Sequence, residues 1–145
     1  MTSRDAIADL VHAYAERLDA GNLDGVAALF ADAAYGRAGG PVRRGAAEVR
    51  AALGVVKLHE GIPRTKHVLT NLVVDVDEAT GRATARSYFT VLQATPALPL
   101  QPILAGRYHD RFARAGSAWR FGERVIHLDL VGELGQHLTD AGRAG

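Results

Sequence analysis

Cysteine is absent from this sequence of 145 residues, and aromatic residues make up only 6% of it. Without cysteine the chain can form no disulfide and has no thiol nucleophile, so cysteine usage leaves its redox compartment open. The net charge of +1 gives no general attraction to nucleic acid or to an anionic membrane. No apolar run reaches the ~18 residues of a membrane span, and no signal peptide precedes the first helical pattern. We therefore expect a cytoplasmic protein without nucleic-acid or membrane partners.

Hydrophobic residues make up 48% of the chain, which is enough for one folded core. Apolar residues recur at helical spacing over residues 7–18 and again over residues 23–30, which predicts two helices separated by Gly21. Thr2 and Asp5 form a loose capping box at the start of the first predicted helix. A short strand follows at residues 33–37, with Tyr35 in its middle, and the sequence predicts a third helix over residues 45–58.

From residue 67 onward the period changes to two, which predicts four strands at residues 67–77, 82–93, 103–114 and 118–130. In the first of these, His67, Asn71 and Asp75 share one face with Leu69 and Val73. The opposite face is apolar or β-branched: Val68, Thr70, Leu72, Val74 and Val76. Such a face is unfavourable to expose, so we expect it to form the interface of a homodimer or homotrimer.

Two further segments contain residues that interrupt regular helices and strands. Residues 94–102 hold three of the five prolines, which predicts a loop that covers a pocket rather than a central strand. Residues 132–145 are rich in glycine and polar residues, and we expect this tail to fray. Helices therefore come first and hairpin strands later, within a single domain spanning residues 1–145. This order is typical of an α+β domain with helices packed on an antiparallel sheet.

Two residues carry the chemistry that the sequence suggests. Asp19 ends the first helix and His67 opens a long strand. A carboxylate that orients an imidazole is the basic equipment of a proton-transfer enzyme. Taken alone, each has a plainer interpretation, because an aspartate near a helix end is often solvated and a histidine is often structural. However, a carboxylate is disfavoured at a helix C-terminus, and a histidine partner would offset that effect.

In this sequence several local motifs occur together and resemble the SnoaL-like branch of the nuclear-transport-factor-2-like superfamily over residues 4–131. The matching motifs are Tyr14, Leu18-Asp19, Asp24 and Phe30 in the helical opening, Arg44-Gly45, residues 65–71, residues 106–112, Trp119-Arg120-Phe121 and Arg124. The resemblance implies a cone-shaped α+β fold, in which N-terminal helices pack on a curved, mainly antiparallel sheet around a deep apolar pocket. The family includes scytalone dehydratase, bile acid dehydratase, a dehydrochlorinase, ketosteroid isomerase, limonene epoxide hydrolase, polyketide cyclases and non-catalytic subunits, so the fold leaves the reaction open.

The resemblance also implies site residues. Asp19 and His67 fall at the positions of the aspartate and histidine shared by the dehydratases and the dehydrochlorinase, and Tyr14 at that of a tyrosine in bile acid dehydratase. The dehydrochlorinase has lysine in place of Tyr14. A further histidine and asparagine of scytalone dehydratase cannot both be placed, and neither the isomerase's aspartate base nor the epoxide hydrolase's Asp-Arg-Asp set has a convincing match.

We therefore expect a cofactor-independent lyase of the dehydratase type, acting on a small hydrophobic cyclic carbonyl compound of polyketide, steroid or terpenoid kind. We expect the catalytic residues to be Asp19, His67 and Tyr14. Two alternatives remain: an isomerase or polyketide cyclase using the same pocket, and a non-catalytic module that binds a hydrophobic ligand or serves assembly. No metal site is expected, because the histidines form no close ligand cluster.

Four other residues are expected to bind substrate: Arg124, His127, Asn71 and Tyr35. Arg124 and His127 lie three residues apart, so on a regular strand they face opposite ways. Of the remaining histidines, His109 can face either way, and a surface position is expected for His12, His59 and His137.

Overall fold

The computed structural model describes residues 1–144. Its helices are α1 (Ser3–Asp19), α2 (Leu23–Ala28), α3 (Gly45–Ala52), which continues into a 3₁₀ turn (Leu53–Val55), and α4 (Asp140–Ala144). Its strands are β1 (Ala34–Arg37), β2 (Arg43–Arg44), β3 (Thr65–Asp77), β4 (Arg82–Thr95), β5 (Leu98–Ala115) and β6 (Ala118–Val131). The predicted order is confirmed, with β2 and α4 added and with α3 shorter than predicted.

The six strands form one curved, unclosed sheet in the order β2-β1-β6-β5-β4-β3. Strands β3 to β6 are consecutive antiparallel hairpins, whereas the β1–β6 pair is parallel. The apolar stripe of α1 packs with α2 and α3 against one face of this sheet, and the core includes Ile7, Val11, Phe30, Phe89 and Phe121. The predicted α+β architecture is therefore confirmed. Within the described part of the chain, no helix combines the length and apolarity that a membrane crossing requires.

Helix α1 begins and ends at residues whose chemistry fixes its limits. The Thr2 side chain accepts a hydrogen bond from the Asp5 backbone N–H at 3.1 Å, and the Asp5 carboxylate accepts from the Thr2 backbone N–H at 3.3 Å, which completes a capping box. After the helix, Gly21 adopts a φ of +76° and lies so close to the Gly61 carbonyl that no side chain fits there. This close approach holds Asp19 beside the start of β3.

A bulge in β3 corrects the predicted division of its faces. The pairing with β4 shifts register between Thr70 and Val73, and Asn71 adopts a left-handed φ of +54°. Leu69 therefore faces the core before the bulge, and the inward residues after it are Leu72, Val74 and Val76. The continuous apolar face expected on the other side does not exist. The homodimer or homotrimer thus stays a prediction without that support.

The proline-rich segment is not the predicted loop. Strand β4 extends to Thr95 and β5 starts at Leu98, so only Pro96 and Ala97 turn the chain. Pro99 and Pro102 lie in the first part of β5, where β4 is the strand partner and pairing with β6 starts only at Leu104. Proline is tolerated there because an edge needs no ladder N–H on its free side.

The C-terminal segment is packed, in contrast to the expected frayed tail. Leu138 pairs with Val56 in an isolated β-bridge, and the Thr139 backbone N–H donates to the Val55 carbonyl at 2.9 Å. His137 and Leu138 are each 5% exposed. Residues 134–144 therefore cover one side of the core beside the 3₁₀ turn that follows α3, and Gly145 lies outside the described residues.

Candidate functional site

A cavity of about 240 Å³ lies between α1, the sheet and the C-terminal segment. Most of its walls are apolar, with contributions from Leu18, Leu53, Phe89, Leu104, Ile126 and Leu128. Its polar side chains include Tyr14, Tyr35, His67, Tyr108 and His137. A few polar groups in an apolar concavity are the usual composition of a small-molecule site.

Asp19 and His67 are in direct contact at this cavity. The His67 Nδ1 lies 2.6 Å from one carboxylate oxygen of Asp19, and the His67 backbone N–H donates to the other at 2.8 Å. The Thr65 hydroxyl donates to the first oxygen at 2.8 Å. The side chains of His67 and Asp19 are only 5% and 11% exposed. The structure thus brings together two residues that lie 48 positions apart in sequence.

These contacts determine the ionisation of Asp19 and the tautomer of His67. Burial raises the pKa of Asp19, but the hydrogen bonds and charge of His67 and the Thr65 hydroxyl outweigh burial and hold that pKa below its usual value. The carboxylate is therefore ionised at neutral pH and can only accept, so Nδ1 of His67 carries the proton. In the neutral form of this tautomer the lone pair is on Nε2, the nitrogen that can act as a base.

Tyr14 and Tyr35 form a second polar contact in the cavity wall. Their hydroxyl oxygens lie 2.7 Å apart, and the rings pack around Phe30. Burial raises the pKa of both phenols, most strongly that of Tyr35, whereas the nearby Arg124 cation lowers the pKa of Tyr14 in part. Both are therefore neutral hydroxyls at pH 7, and one proton of the pair is free to donate into the cavity.

Arg124 was predicted to bind substrate, but its side chain does not line the cavity. Its Nε and Nη2 donate to the two carboxylate oxygens of Asp110 at 2.8 and 2.9 Å, and both side chains are fully buried. The guanidinium carbon lies 3.7 Å from the ring centre of Tyr108 and 4.3 Å from that of Tyr14. Burial opposes the charge on Arg124, but Asp110 outweighs it and raises the pKa of the guanidinium. Arg124 therefore packs against the rings of Tyr14 and Tyr108 on the side away from the cavity.

Sequence reasoning missed Asp110, although a signal was present. Asp110 lies two residues from both Tyr108 and Phe112, so it occupies the inward phase of β5, where a carboxylate needs a buried partner. Its partner is brought inward by the register shift at Gly122, which places Arg124 on the same inward face as Phe121 although the two lie three residues apart. A single unpaired bulge residue thus decides which charged side chain of β6 is buried.

His127 and Asn71 do not join the site. His127 faces the opposite side of the sheet, where its ring centre lies 4.7 Å from that of the exposed His109. Burial, together with the charge of Arg107, lowers the pKa of His127. Asn71 is exposed at the β3 bulge, because the extra residue turns its side chain away from the core. The expectation that Arg124 and His127 face opposite ways agrees with this placement.

His137 is a cavity residue where a surface position was expected. Its ring centre lies 6.4 Å from that of His67, and its Nδ1 is buried without a hydrogen-bond partner. Burial and the neighbouring His67 lower the pKa of His137 to about 4, so it is neutral at pH 7. No pattern in the sequence marks it, because it follows the last strand in an irregular segment. His12 is exposed as expected, and the His59 Nε2 lies 2.8 Å from the Gln136 carbonyl oxygen.

Among residues 1–144, no group of three or more histidine, aspartate or glutamate side chains is arranged to hold a metal ion. The polar groups of the cavity are instead suited to proton transfer, with a base at His67 and neutral donors at the tyrosines. A basic nitrogen beside neutral hydrogen-bond donors can remove a proton next to a carbonyl and stabilise the resulting enolate.

Comparison with known proteins gives a family and a fold. The family model of the SnoaL-like domain matches residues 1–125. No curated protein sequence gives a significant match. A Mycobacterium tuberculosis protein of unknown function is similar in structure, with 28% identity, a TM-score of 0.70, and coverage of 87% of this chain and 71% of the other.

Two solved structures from Novosphingobium aromaticivorans are also similar. An NTF2-like protein with a cystatin-like fold shares 24% identity at a TM-score of 0.74, over 97% of this chain and 86% of the other. A proposed scytalone dehydratase shares 23% identity at a TM-score of 0.70, over 91% and 93% of the two chains. At these identities the two structures support the shared fold alone.

Proposed function

The chain belongs to the SnoaL-like domain family, and on that footing we propose that it is a cofactor-independent lyase that removes water from a small cyclic β-hydroxy carbonyl compound. The observation that carries the proposal is the Asp19–His67 pair, with its 2.6 Å contact in the wall of an apolar cavity. A protein of the same fold has been proposed to be a scytalone dehydratase, and that activity is consistent with this reaction.

In the proposed reaction, Nε2 of His67 removes the proton from the carbon between the carbonyl and the hydroxyl-bearing carbon. Asp19 accepts from Nδ1–H and stabilises the imidazolium as it forms. The electron pair of the broken C–H bond forms the new C=C bond, and the C–O bond breaks with its pair on oxygen. The imidazolium then returns the proton to that oxygen, which leaves as water.

Tyr14 and Tyr35 have the complementary role of stabilising the enolate. Because both phenols are neutral and buried, a proton of the pair can donate to the substrate carbonyl oxygen as negative charge develops there. The Arg124 cation beside the Tyr14 ring favours this donation, because it offsets part of the rise in the pKa of the phenol that burial causes. The mostly apolar walls exclude water and strengthen these contacts.

The cavity volume narrows the substrate class. At about 240 Å³ the cavity is smaller than the ~300–1,000 Å³ that holds a drug-sized ligand. It suits a compound of one or two rings rather than a four-ring steroid. A polyketide-type or terpenoid-type bicyclic ketone is therefore the better candidate among the compounds considered.

A β-hydroxytetralone, a bicyclic ketone whose hydroxyl lies β to the carbonyl, tests the proposal. Loss of water gives a naphthol, which mass spectrometry and fluorescence detect, whereas isomerisation or cyclisation would leave the mass unchanged. Because a positioned base contributes on the order of 10²–10⁴-fold, we expect His67→Ala to lower kcat/KM by that range. Asp19→Asn should also lower it strongly, because it removes the charge that stabilises the imidazolium.

His12→Ala, an exposed substitution on α1, is the matched control and should retain full turnover. Circular dichroism checks that each variant folds. Undiminished naphthol formation by His67→Ala would refute the mechanism.

A further inference from the structure

His137 combines a fixed backbone with an imidazole that lacks a partner on one nitrogen. Its backbone N–H donates to the Leu134 carbonyl at 2.9 Å, and its carbonyl accepts from the Lys57 backbone N–H at 2.8 Å. The preceding Gln136 carbonyl lies 2.8 Å from the His59 Nε2 and accepts from the Gln93 side chain at 3.0 Å. The segment is thus held on both sides of His137, and the ring is presented to the cavity from a rigid support.

The unpartnered nitrogen is informative because buried polar groups nearly always have hydrogen-bond partners. The Nδ1 of His137 has none, although the residue is only 5% exposed. A buried N–H without an acceptor is rarer than an acceptor without a donor. We therefore place the lone pair on Nδ1 and the proton on Nε2, which makes Nε2–H the donor of a neutral ring.

The charge state of His137 follows from its surroundings. The titratable groups that act on its ring are His67, Asp19 and His59. Burial and the two histidines disfavour its protonation, whereas Asp19, already engaged by His67 and Thr65, favours protonation and is outweighed. A neutral His137 can therefore donate a hydrogen bond at pH 7 without competing with His67 for the substrate proton.

The separation of the two rings fits a shared oxygen. With hydrogen bonds of about 2.8 Å and nitrogens about 1.1 Å from the ring centres, an oxygen bonded tetrahedrally by two imidazoles separates those centres by roughly 6.4 Å. The centres of His67 and His137 are 6.4 Å apart, with the ring planes inclined at 64°. One oxygen atom between the rings can thus be within hydrogen-bond reach of both.

We propose that His137 is a substrate-binding residue whose Nε2–H donates a hydrogen bond to the hydroxyl group that leaves, while His67 returns the proton to the same oxygen. The proposal rests on the proposed dehydratase function and deepens it. As the C–O bond breaks, its electron pair moves to the oxygen, the His67 imidazolium supplies the proton, and water departs. His137 neither gains nor loses a proton in this step, but stabilises the charge that develops on the oxygen.

A pair of unreactive probes isolates the hydroxyl contact from turnover. Tetralol carries a hydroxyl on its saturated ring and no carbonyl, and tetralin lacks both groups, so neither can react through the proposed enolate route. For the wild type we expect tetralol to bind more tightly than tetralin by calorimetry. His137→Leu should reduce that preference about tenfold, which corresponds to about 1.4 kcal/mol and lies at the upper end of the net contribution of a typical hydrogen bond. His137→Gln, whose amide nitrogen lies near the position of Nε2, should retain part of the preference.

Leu138→Val is the matched control, because Leu138 lines the same cavity from the same segment without a polar group. This variant should weaken both probes alike. A His137→Leu protein that keeps the preference for tetralol, or that weakens both probes equally, would overturn the role of His137. A wild type without any preference for tetralol would overturn it as well.

Turnover of the β-hydroxytetralone is scored separately, so the two proposals fail separately. Hydroxyl-dependent binding that requires His137, without naphthol formation, would contradict the dehydratase function and support the His137 contact. Naphthol formation by a wild type whose tetralol preference is independent of His137 would support the lyase and refute the contact.

Discussion

At the scale of single residues, Asp19 shows how an unfavourable position becomes a functional one. A carboxylate at the last position of α1 opposes the helix dipole. Three hydrogen bonds from Thr65 and His67 offset that effect and keep the carboxylate ionised. The pairing of Asp19 with His67 was predictable because both lie in recognisable contexts. His137 was not, since it lies outside any periodic pattern and its position depends on tertiary packing.

His137 also predicts a dependence of stability on pH. Its pKa is lowered from 6.5 to about 4 in the folded protein, so the unfolded chain binds its proton more readily. The contribution is fully present above about pH 6.5 and is lost as the pH falls through about 4. Between pH 7 and pH 4, the wild type should lose about 3 kcal/mol more unfolding free energy than His137→Gln.

Urea denaturation of both proteins at the two pH values measures this difference, and carboxylates common to both cancel in it. The exposed His12→Gln variant should behave like the wild type. Equal losses for the wild type and His137→Gln would show that His137 is not held neutral by the fold.

At the scale of elements, the positions of side chains depend on bulges that periodicity does not reveal. The existence and order of the helices and strands followed from hydrophobic period and turn residues. The faces did not, because an extra residue in β3 and the extra residue Gly122 in β6 each reverse the alternation beyond them. Asn71 was therefore predicted in the pocket and lies outside, and Arg124 is buried behind the tyrosines. The prolines of β5 led to the wrong prediction of a loop for a related reason. The sequence does not show which side of a strand lacks a neighbouring strand.

The β3 bulge makes Asn71 a sensitive position. Its left-handed φ of +54° is tolerated by asparagine and glycine and is unfavourable for β-branched residues. Asn71→Val should therefore lower the unfolding free energy by about 1–2 kcal/mol, whereas Asn71→Gly should change it by less than about 1 kcal/mol. Thermal and urea unfolding of both variants provide the measurement.

The neighbouring Thr70→Val, exposed and in ordinary strand conformation, is the control and should be nearly neutral. If the Asn71→Val protein were as stable as the Asn71→Gly protein, the bulge would have relaxed into a regular strand. In that case Leu72 and Val74 would lose their inward positions.

At the scale of the whole molecule, the buried Arg124–Asp110 pair connects the sheet to the helical layer. The carboxylate comes from β5 and the guanidinium from β6, and the cation stacks on Tyr14 of α1. Buried ion pairs contribute little net stability, but loss of one partner leaves an uncompensated charge. The pair therefore fixes the position of the Tyr14 ring relative to the strands.

Asp110→Asn should lower the unfolding free energy by about 3–5 kcal/mol, because Arg124 remains charged and loses its counter-ion. The double replacement Asp110→Leu with Arg124→Met should recover much of that loss. A double-mutant cycle built from Asp110→Leu, Arg124→Met and their combination, followed by urea denaturation, measures the coupling between the two residues.

The exposed Arg107–Asp129 pair offers a matched comparison, since it joins the same two strands through two hydrogen bonds of 2.8 and 3.1 Å. Its removal should have a much smaller effect, because solvent screens the charges. Losses of similar size at both pairs would show that burial is not the source of the coupling.

The packing of residues 134–144 over the cavity has a kinetic consequence. The backbone hydrogen bonds that join His137 to Lys57 and Thr139 to Val55 fix one wall of the cavity and hold the His137 ring beside that of His67. A fluctuation that opens this segment therefore also separates the rings of His67 and His137. For the proposed lyase, ligand exchange past this segment and cleavage of the C–O bond would then require different conformers, and the rate of their interconversion would set an upper limit on turnover.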